Sequence, residues 1–134
     1  MRPGRRGGRL VGVTTEIDPE TEALVPDWLT LPDVAEQLGI DVGRVRSMLR
    51  ERQLVAVRRG PDRVLQVPAA FVRDGKVLKG LPGTLTLLAD SGYDESAAIR
   101  WLFMADESLP GCPVMALAEN RGTEVRRRAQ ALAF

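Results

Sequence analysis

From Thr30 onward the apolar positions recur at helical spacing, and before Thr30 they show no sustained period. Val34, Ala35 and Leu38 share one face of a helix. Thr30 and Asp33 stand at capping-box spacing, with Asp in place of the usual Glu, and Pro32 suits a first turn. Gly39 stops that helix, and Asp41 is placed to cap the next. The second helix is predicted over residues 42–52, with Val45, Met48 and Leu49 inward and Arg46 and Arg50 outward. Residues 54–58 then read as a strand, Gly60-Pro61-Asp62 as a turn and residues 64–67 as the returning strand, ended by Pro68. A short helix or turn over 69–72 and a turn at Asp74-Gly75 follow.

The remainder alternates apolar helical stretches with Gly and Pro. Helices are predicted over 83–89, 94–103, 113–119 and 123–132, with Leu85, Leu88, Ile99, Leu102, Phe103, Met115, Leu117, Val125, Ala129 and Leu132 as their apolar positions. Trp101 and Phe103 are read as core residues. Residues 1–26 are Gly-rich and basic, then acidic, and are read as a mostly disordered tail. The expected organisation is therefore a tail over 1–26, one unit over 27–73 and a helical unit over 74–134. The fold class is mainly α with a small β-hairpin.

Composition narrows the chemistry. At 134 residues, 44% of them hydrophobic, the chain has room for one domain or two small ones sharing a core. With aromatics at only 4%, that core is built from aliphatic side chains. No apolar run approaches the ~18 residues of a membrane span, and no apolar stretch follows the basic N-terminus as a secretory signal requires. The single Cys112 excludes an internal disulfide and fits a reducing cytosol, so a cytoplasmic protein is expected. Cys112 has no base or metal partner visible in sequence and is assigned no chemistry. The chain has no His, which removes Ser-His and Cys-His nucleophile pairs and His-ligated metals. No Gly-rich phosphate loop or dinucleotide fingerprint appears. Neither catalysis nor a cofactor is expected.

The net charge of +1 says little, but the charges are unevenly placed. Residues 2–9 hold four Arg and no acid, residues 10–43 hold acids and no base, and residues 44–63 hold seven Arg against Glu51 and Asp62. Of 19 basic residues 17 are Arg, the residue suited to bidentate contacts with phosphate or guanine.

The most specific pattern runs from Leu31 to Arg50. A helix-turn-helix needs two short helices crossing steeply, with a tight turn and small residues at their contact. Val34, Leu38, Ile40, Val45 and Met48 fill its inner positions. Ala35 falls where the helices approach too closely for a larger side chain, and Gly39 falls at the turn, where a positive φ is required. Leu29-Thr30-Leu31-Pro32-Asp33-Val34-Ala35-Glu36-Gln37-Leu38-Gly39, then Val45 and Leu54-Val55-Ala56-Val57-Arg58-Arg59, resembles the excisionase and MerR-like winged helix-turn-helix superfamily. More closely, residues 28–134 resemble an actinobacterial family of small DNA-binding proteins of the mycobacterial type, which join this module to a C-terminal helical domain. The C-terminal part of that likeness rests on Leu81-Pro82-Gly83, Gly92-Tyr93, Arg100-Trp101-Leu102-Phe103 and residues 124–131. The resemblance implies binding to double-stranded DNA and gives no target sequence.

A recognition helix enters the major groove with its N-terminal half toward base edges. Those places fall to Asp41, Val42, Gly43, Arg46 and Ser47, with Arg50 one turn on. Arg46 is placed either for a bidentate contact to guanine or for a phosphate. Ser47 faces a base, a phosphate or solvent. Arg44, near the helix start, contacts phosphate or pairs with Asp41. Arg58, Arg59 and Arg63 flank the Gly60-Pro61 turn, a wing tip suited to phosphates or a minor groove; the alternative is a charged tip that protects an edge strand.

Arg2, Arg5, Arg6 and Arg9 add non-specific DNA contacts, or the acidic segment after them folds over the arginine face. Thr14 and Thr15 are candidate sites for a Ser/Thr protein kinase, since a phosphoryl group there opposes DNA binding. Arg126, Arg127 and Arg128 are read as a solvated helix end rather than a second DNA contact. The leading expectation is a transcriptional regulator or nucleoid-associated protein. The alternative is a protein-interaction adaptor, antitoxin-like or kinase-linked, that uses the C-terminal helices. The outward arginines separate the two, because they are costly to hold together unless an anion faces them.

Overall fold

In a computed structural model the described residues are 16–106, 108–109 and 111–133. Helix α1 (Pro19–Leu24) leads into strand β1 (Trp28–Thr30) and the helix pair α2 (Leu31–Leu38) and α3 (Val42–Arg50). Strands β2 (Val57–Arg59) and β3 (Val64–Pro68) follow, then a 3-10 turn at Ala69–Phe71 and the short strands β4 (Val72–Arg73) and β5 (Lys76–Val77). Four helices complete the chain: α4 (Leu81–Asp90), α5 (Glu95–Phe103), α6 (Pro113–Ala118) and α7 (Gly122–Ala131). The fold is mainly helical with small antiparallel elements: a winged helix-turn-helix followed by a helical region.

The local signals act as the residues dictate. Thr30 caps α2 by accepting from the Asp33 N–H, while the Asp33 carboxylate accepts from the Thr30 N–H, so two orphan donors are satisfied at once. Gly39 ends α2 in the left-handed region, φ 71°, where a Cβ would be strained. Asp41 caps α3 by accepting from the Arg44 N–H at 2.7 Å. Val34 and Val45 are fully buried where the two helices meet.

Strand β3 is the centre of a three-stranded sheet of order β1-β3-β2, antiparallel on both sides. The register sets Thr30 and Val57 opposite Gln66 from its two sides. The wing is therefore three-stranded, with β1 added to the expected hairpin. Residues 54–56 do not pair as strand; Leu54, Val55 and Ala56 go into the core instead. A second hairpin, β4 with β5, replaces the bare turn expected at Asp74-Gly75.

One continuous apolar core joins the two halves. Phe71, completely buried, packs its ring against Phe103 of α5 at 5.9 Å between centroids. Leu81, Leu88, Ile99, Leu102, Leu117 and Val125 bury the inner faces of α4 to α7. Each such side chain contributes about 1.5–3 kcal/mol relative to exposure. Two expected core positions lie outside: Met115 is 51% exposed and Leu132 38%. Met115 sits on the outer face of the short α6, whose inner face is already filled by Val114, Ala116 and Leu117, and Leu132 lies just past the end of α7. Trp101 and Phe103 are half-buried at the edge of the core.

The expected tail is corrected over its last part. Residues 16–26 are ordered, because Asp18 caps α1, Pro19 occupies its first turn, and Thr21 and Val25 are buried as α1 packs on α5. Arg2, Arg5, Arg6, Arg9, Thr14 and Thr15 lie outside the described residues. Among the described residues, no helix is long and apolar enough to cross a membrane.

Candidate nucleic-acid interface

Helix α3 turns Val45 and Met48 into the core and leaves Gly43, Arg44, Arg46 and Arg50 exposed, with Ser47 half-buried between them. That division follows from the 3.6-residue period: Arg46 and Arg50 are four apart and stack on one outer stripe. Arg46 has no hydrogen-bond or ion-pair partner among the described residues. Arg50 donates from Nη2 to Ser47 Oγ at 2.9 Å, and Ser47 Oγ donates to the Gly43 carbonyl at 3.3 Å. Arg50 therefore keeps its full charge, because its partner is neutral. Arg44 differs. Its Nη1 lies 3.4 Å from Glu51 Oε1, both side chains about half exposed, so its ion-pair partner is Glu51 at the far end of the helix rather than Asp41. The Asp41 carboxylate accepts from the Arg44 backbone N–H instead.

At the wing, the tight turn sets Gly60 at φ 78° and Arg63 at φ 53°. Arg58 donates from Nη1 to the Arg63 carbonyl at 2.9 Å, which closes the loop without neutralising the guanidinium. Arg63 is paired with Glu16, whose backbone runs alongside Arg58.

Arg59 is a correction to the expectation of three arginines at the tip. Strand residues alternate in face, so Arg59 follows Val57 and Gln66 to the side that carries Trp28. Its Nε meets Glu22 Oε2 at 2.8 Å, its Nη1 meets Gln66 Oε1 at 2.8 Å, and its Cζ lies 4.4 Å from the centroid of the Trp28 ring. With its side chain 23% exposed, Arg59 braces α1 against the sheet.

The surface thus carries two kinds of arginine. Arg46, Arg50 and Arg58 face no carboxylate among the described residues, whereas Arg44, Arg59 and Arg63 each hold one. Two of those carboxylates, Glu16 and Glu22, come from the acidic segment before the helix pair. Residues 16–72 match the family model described as the wHTH domain of DNA-binding protein Rv2175c, and residues 78–133 match that of the Rv2175c C-terminal domain of unknown function.

The chain belongs to the Rv2175c family.

One member, the DNA-binding protein Rv2175c of Mycobacterium tuberculosis (strain ATCC 25618 / H37Rv), is 41% identical over 146 residues, covering 98% of this chain and 99% of that protein. The NMR structure of Rv2175c superposes with a TM-score of 0.73 at 38% identity, covering 98% of this chain and 99% of that one. The Rv2175c family is named for DNA binding and not for an enzyme. Its wHTH model begins at residue 16, so it takes in α1 together with Glu16 and Glu22.

Sequence reasoning expected, as one alternative, that the acidic segment folds over the arginine face, but it did not single out Glu16 and Glu22 as the partners. Asp18-Pro19-Glu20 is itself a helix-start signature and was the available signal. Their pairing with the wing depends on three-dimensional placement and left no local trace. The reading of Arg126–Arg128 as a solvated end also changes. Arg128 donates to Ser108 and to the Glu124 carbonyl, and it lies 3.6 Å from Asp106. Arg126 is half-buried against α4, and only Arg127 is exposed.

Proposed function

We propose that this chain binds double-stranded DNA, with α3 in the major groove and the Arg58–Arg63 edge of the wing on the adjacent backbone. The observation that carries the reading is the outer stripe of α3. Arg46 and Arg50 stand exposed there with no acid opposite them among the described residues, on a helix held rigid by a capped turn and a filled core. Holding like charges together without a counter-charge is unfavourable in water, and a polyanion removes that cost. The relative named a DNA-binding protein, alike over its full length, supports the same reading.

Arg46, Arg50 and Arg58 are the proposed first contacts. Ser47 positions Arg50, and Arg44 and Arg63 join by exchanging their carboxylate partners for phosphates. The protein acts as a transcriptional regulator or nucleoid-associated protein in the cytoplasm. A Ser/Thr kinase acting on Thr14 or Thr15 would add up to about two negative charges directly before Glu16, the partner of Arg63, and so oppose binding.

Equilibrium binding of a fluorescent random-sequence duplex tests this. Arg46→Ala and Arg50→Ala should each weaken binding about tenfold at low salt, and Arg127→Ala on the exposed face of α7 should leave it unchanged. Equal effects from all three variants would contradict the assignment.

A further inference from the structure

The starts of α4 and α7 meet around a cavity of about 140 Å³ lined by Lys79, Gly80, Asn120, Gly122, Thr123 and Arg126. The Arg126 side chain runs back along its own helix into this space. A Cβ added to Gly122 would lie 3.1 Å from Arg126 Nη1, one added to Gly80 would lie 3.4 Å from the same atom, and one added to Gly83 would lie 3.3 Å from Arg126 Cδ. Three glycines thus form the bed in which the guanidinium lies. Neither Arg126 nor Lys79 has a carboxylate partner among the described residues.

This arrangement is electrostatically the wrong way round for a protein that leaves the cavity empty. Both helices start here without a side-chain cap, and each helix start carries about half a positive charge. A cation is favourable at a helix end, not at its beginning, yet Arg126 and Lys79 bring two full charges to two helix starts. Together they bring an excess of about three positive charges to the cavity lining, where the exposed Lys79, Asn120 and Thr123 also carry side chains able to donate hydrogen bonds. A singly charged carboxylate would leave most of that charge unbalanced, and its two oxygens would use few of the donors.

We propose that this cavity binds the phosphoryl group of a phosphorylated ligand, a tetrahedral dianion held between Arg126 and Lys79. The site gives the C-terminal helices a binding role separate from the α3 surface, and it does not depend on that surface contacting DNA. The phosphate comes either from a free phosphorylated small molecule or from a nucleic-acid backbone.

Titrating the full chain with inorganic phosphate, against chloride at matched ionic strength, tests the proposal. Saturable amide shifts are expected at Gly80, Gly83, Gly122 and Thr123. Arg126→Gln should weaken the response at least about tenfold. Gly122→Ala should do the same while folding normally, because Ala favours the helix and its Cβ displaces only the flexible guanidinium. A short duplex that competes with phosphate at these amides identifies the source as the nucleic-acid backbone. A duplex that leaves them unmoved identifies a free phosphorylated ligand. Both results uphold the site. Shifts no larger than with chloride, or shifts that survive in both variants, overturn it. Arg46→Ala should impair duplex binding and leave the phosphate response intact, so the two readings fail separately.

Discussion

Glu22 and Arg59, 37 residues apart in the chain, hold one another at 2.8 Å, and the same guanidinium lies 4.4 Å from the centroid of the Trp28 ring. The contact ties α1 to the sheet at its β2 edge and takes one arginine out of the set proposed to meet DNA. Arg59→Ala should therefore lower stability by about 1–2 kcal/mol through the lost cation–π and partly exposed ion-pair contacts. It should leave the salt dependence of duplex binding as it was. Urea unfolding and a salt titration on the same variant check both halves. A stable variant with a shallower salt slope would place Arg59 on DNA after all.

Glu16 covers Arg63 as Glu22 covers Arg59, but at an exposed position where a phosphate can compete. Glu16→Gln frees that guanidinium. Duplex affinity at low salt should rise severalfold, because Arg63 then meets phosphate without first giving up a carboxylate, while the log–log salt slope should stay near that of the parent. Fluorescence anisotropy at several salt concentrations measures it. An unchanged affinity would show that Arg63 does not reach DNA.

Gly39 sets the angle between α2 and α3 at φ 71°, and no atom lies within 4 Å of where its Cβ would be. The cost of a side chain there is purely conformational. Gly39→Ala should destabilise by about 1–2 kcal/mol, and Gly39→Asn by less, since Asn visits the left-handed region more readily. Equal stability of the two variants in denaturant would contradict the strained-turn account.

The carboxyl of Asp18 is held below the ordinary value of 3.8, chiefly by the hydrogen bond that the Thr21 N–H donates to it. Glu124 is held below 4.5 by its hydrogen bonds from Arg121. A depressed native pKa means that the ionised group stabilises the fold fully above the ordinary value, and that this contribution disappears as pH falls through the native value. Unfolding midpoints should fall below about pH 4, and Asp18→Asn should shrink that fall. Identical pH profiles for the parent and the variant would remove the cap from the account.

What the sequence made legible is what local rules control. Thr30, Asp33, Gly39 and Asp41 act within three residues of themselves, so the helix pair and its outward Arg46 and Arg50 could be read directly. The face on which Arg59 lies depends on strand register, and the acids that meet Arg59 and Arg63 arrive from a distant segment. Helix α1, six residues long, is too short to show a period and forms because α5 packs on it. Arg126 looked like a solvated charge because the glycines around it belong to two different helices.

The most direct test of the central claim is the slope of log K against log salt for random duplex DNA, measured for the parent chain, Arg46→Ala and Arg58→Ala. If Arg44, Arg46, Arg50, Arg58 and Arg63 engage phosphates, the parent slope should be about −4 to −5, and each substitution should make it shallower by about 0.9. A nearly flat parent slope, or one that neither substitution changes, would contradict a duplex-binding role for α3 and the wing.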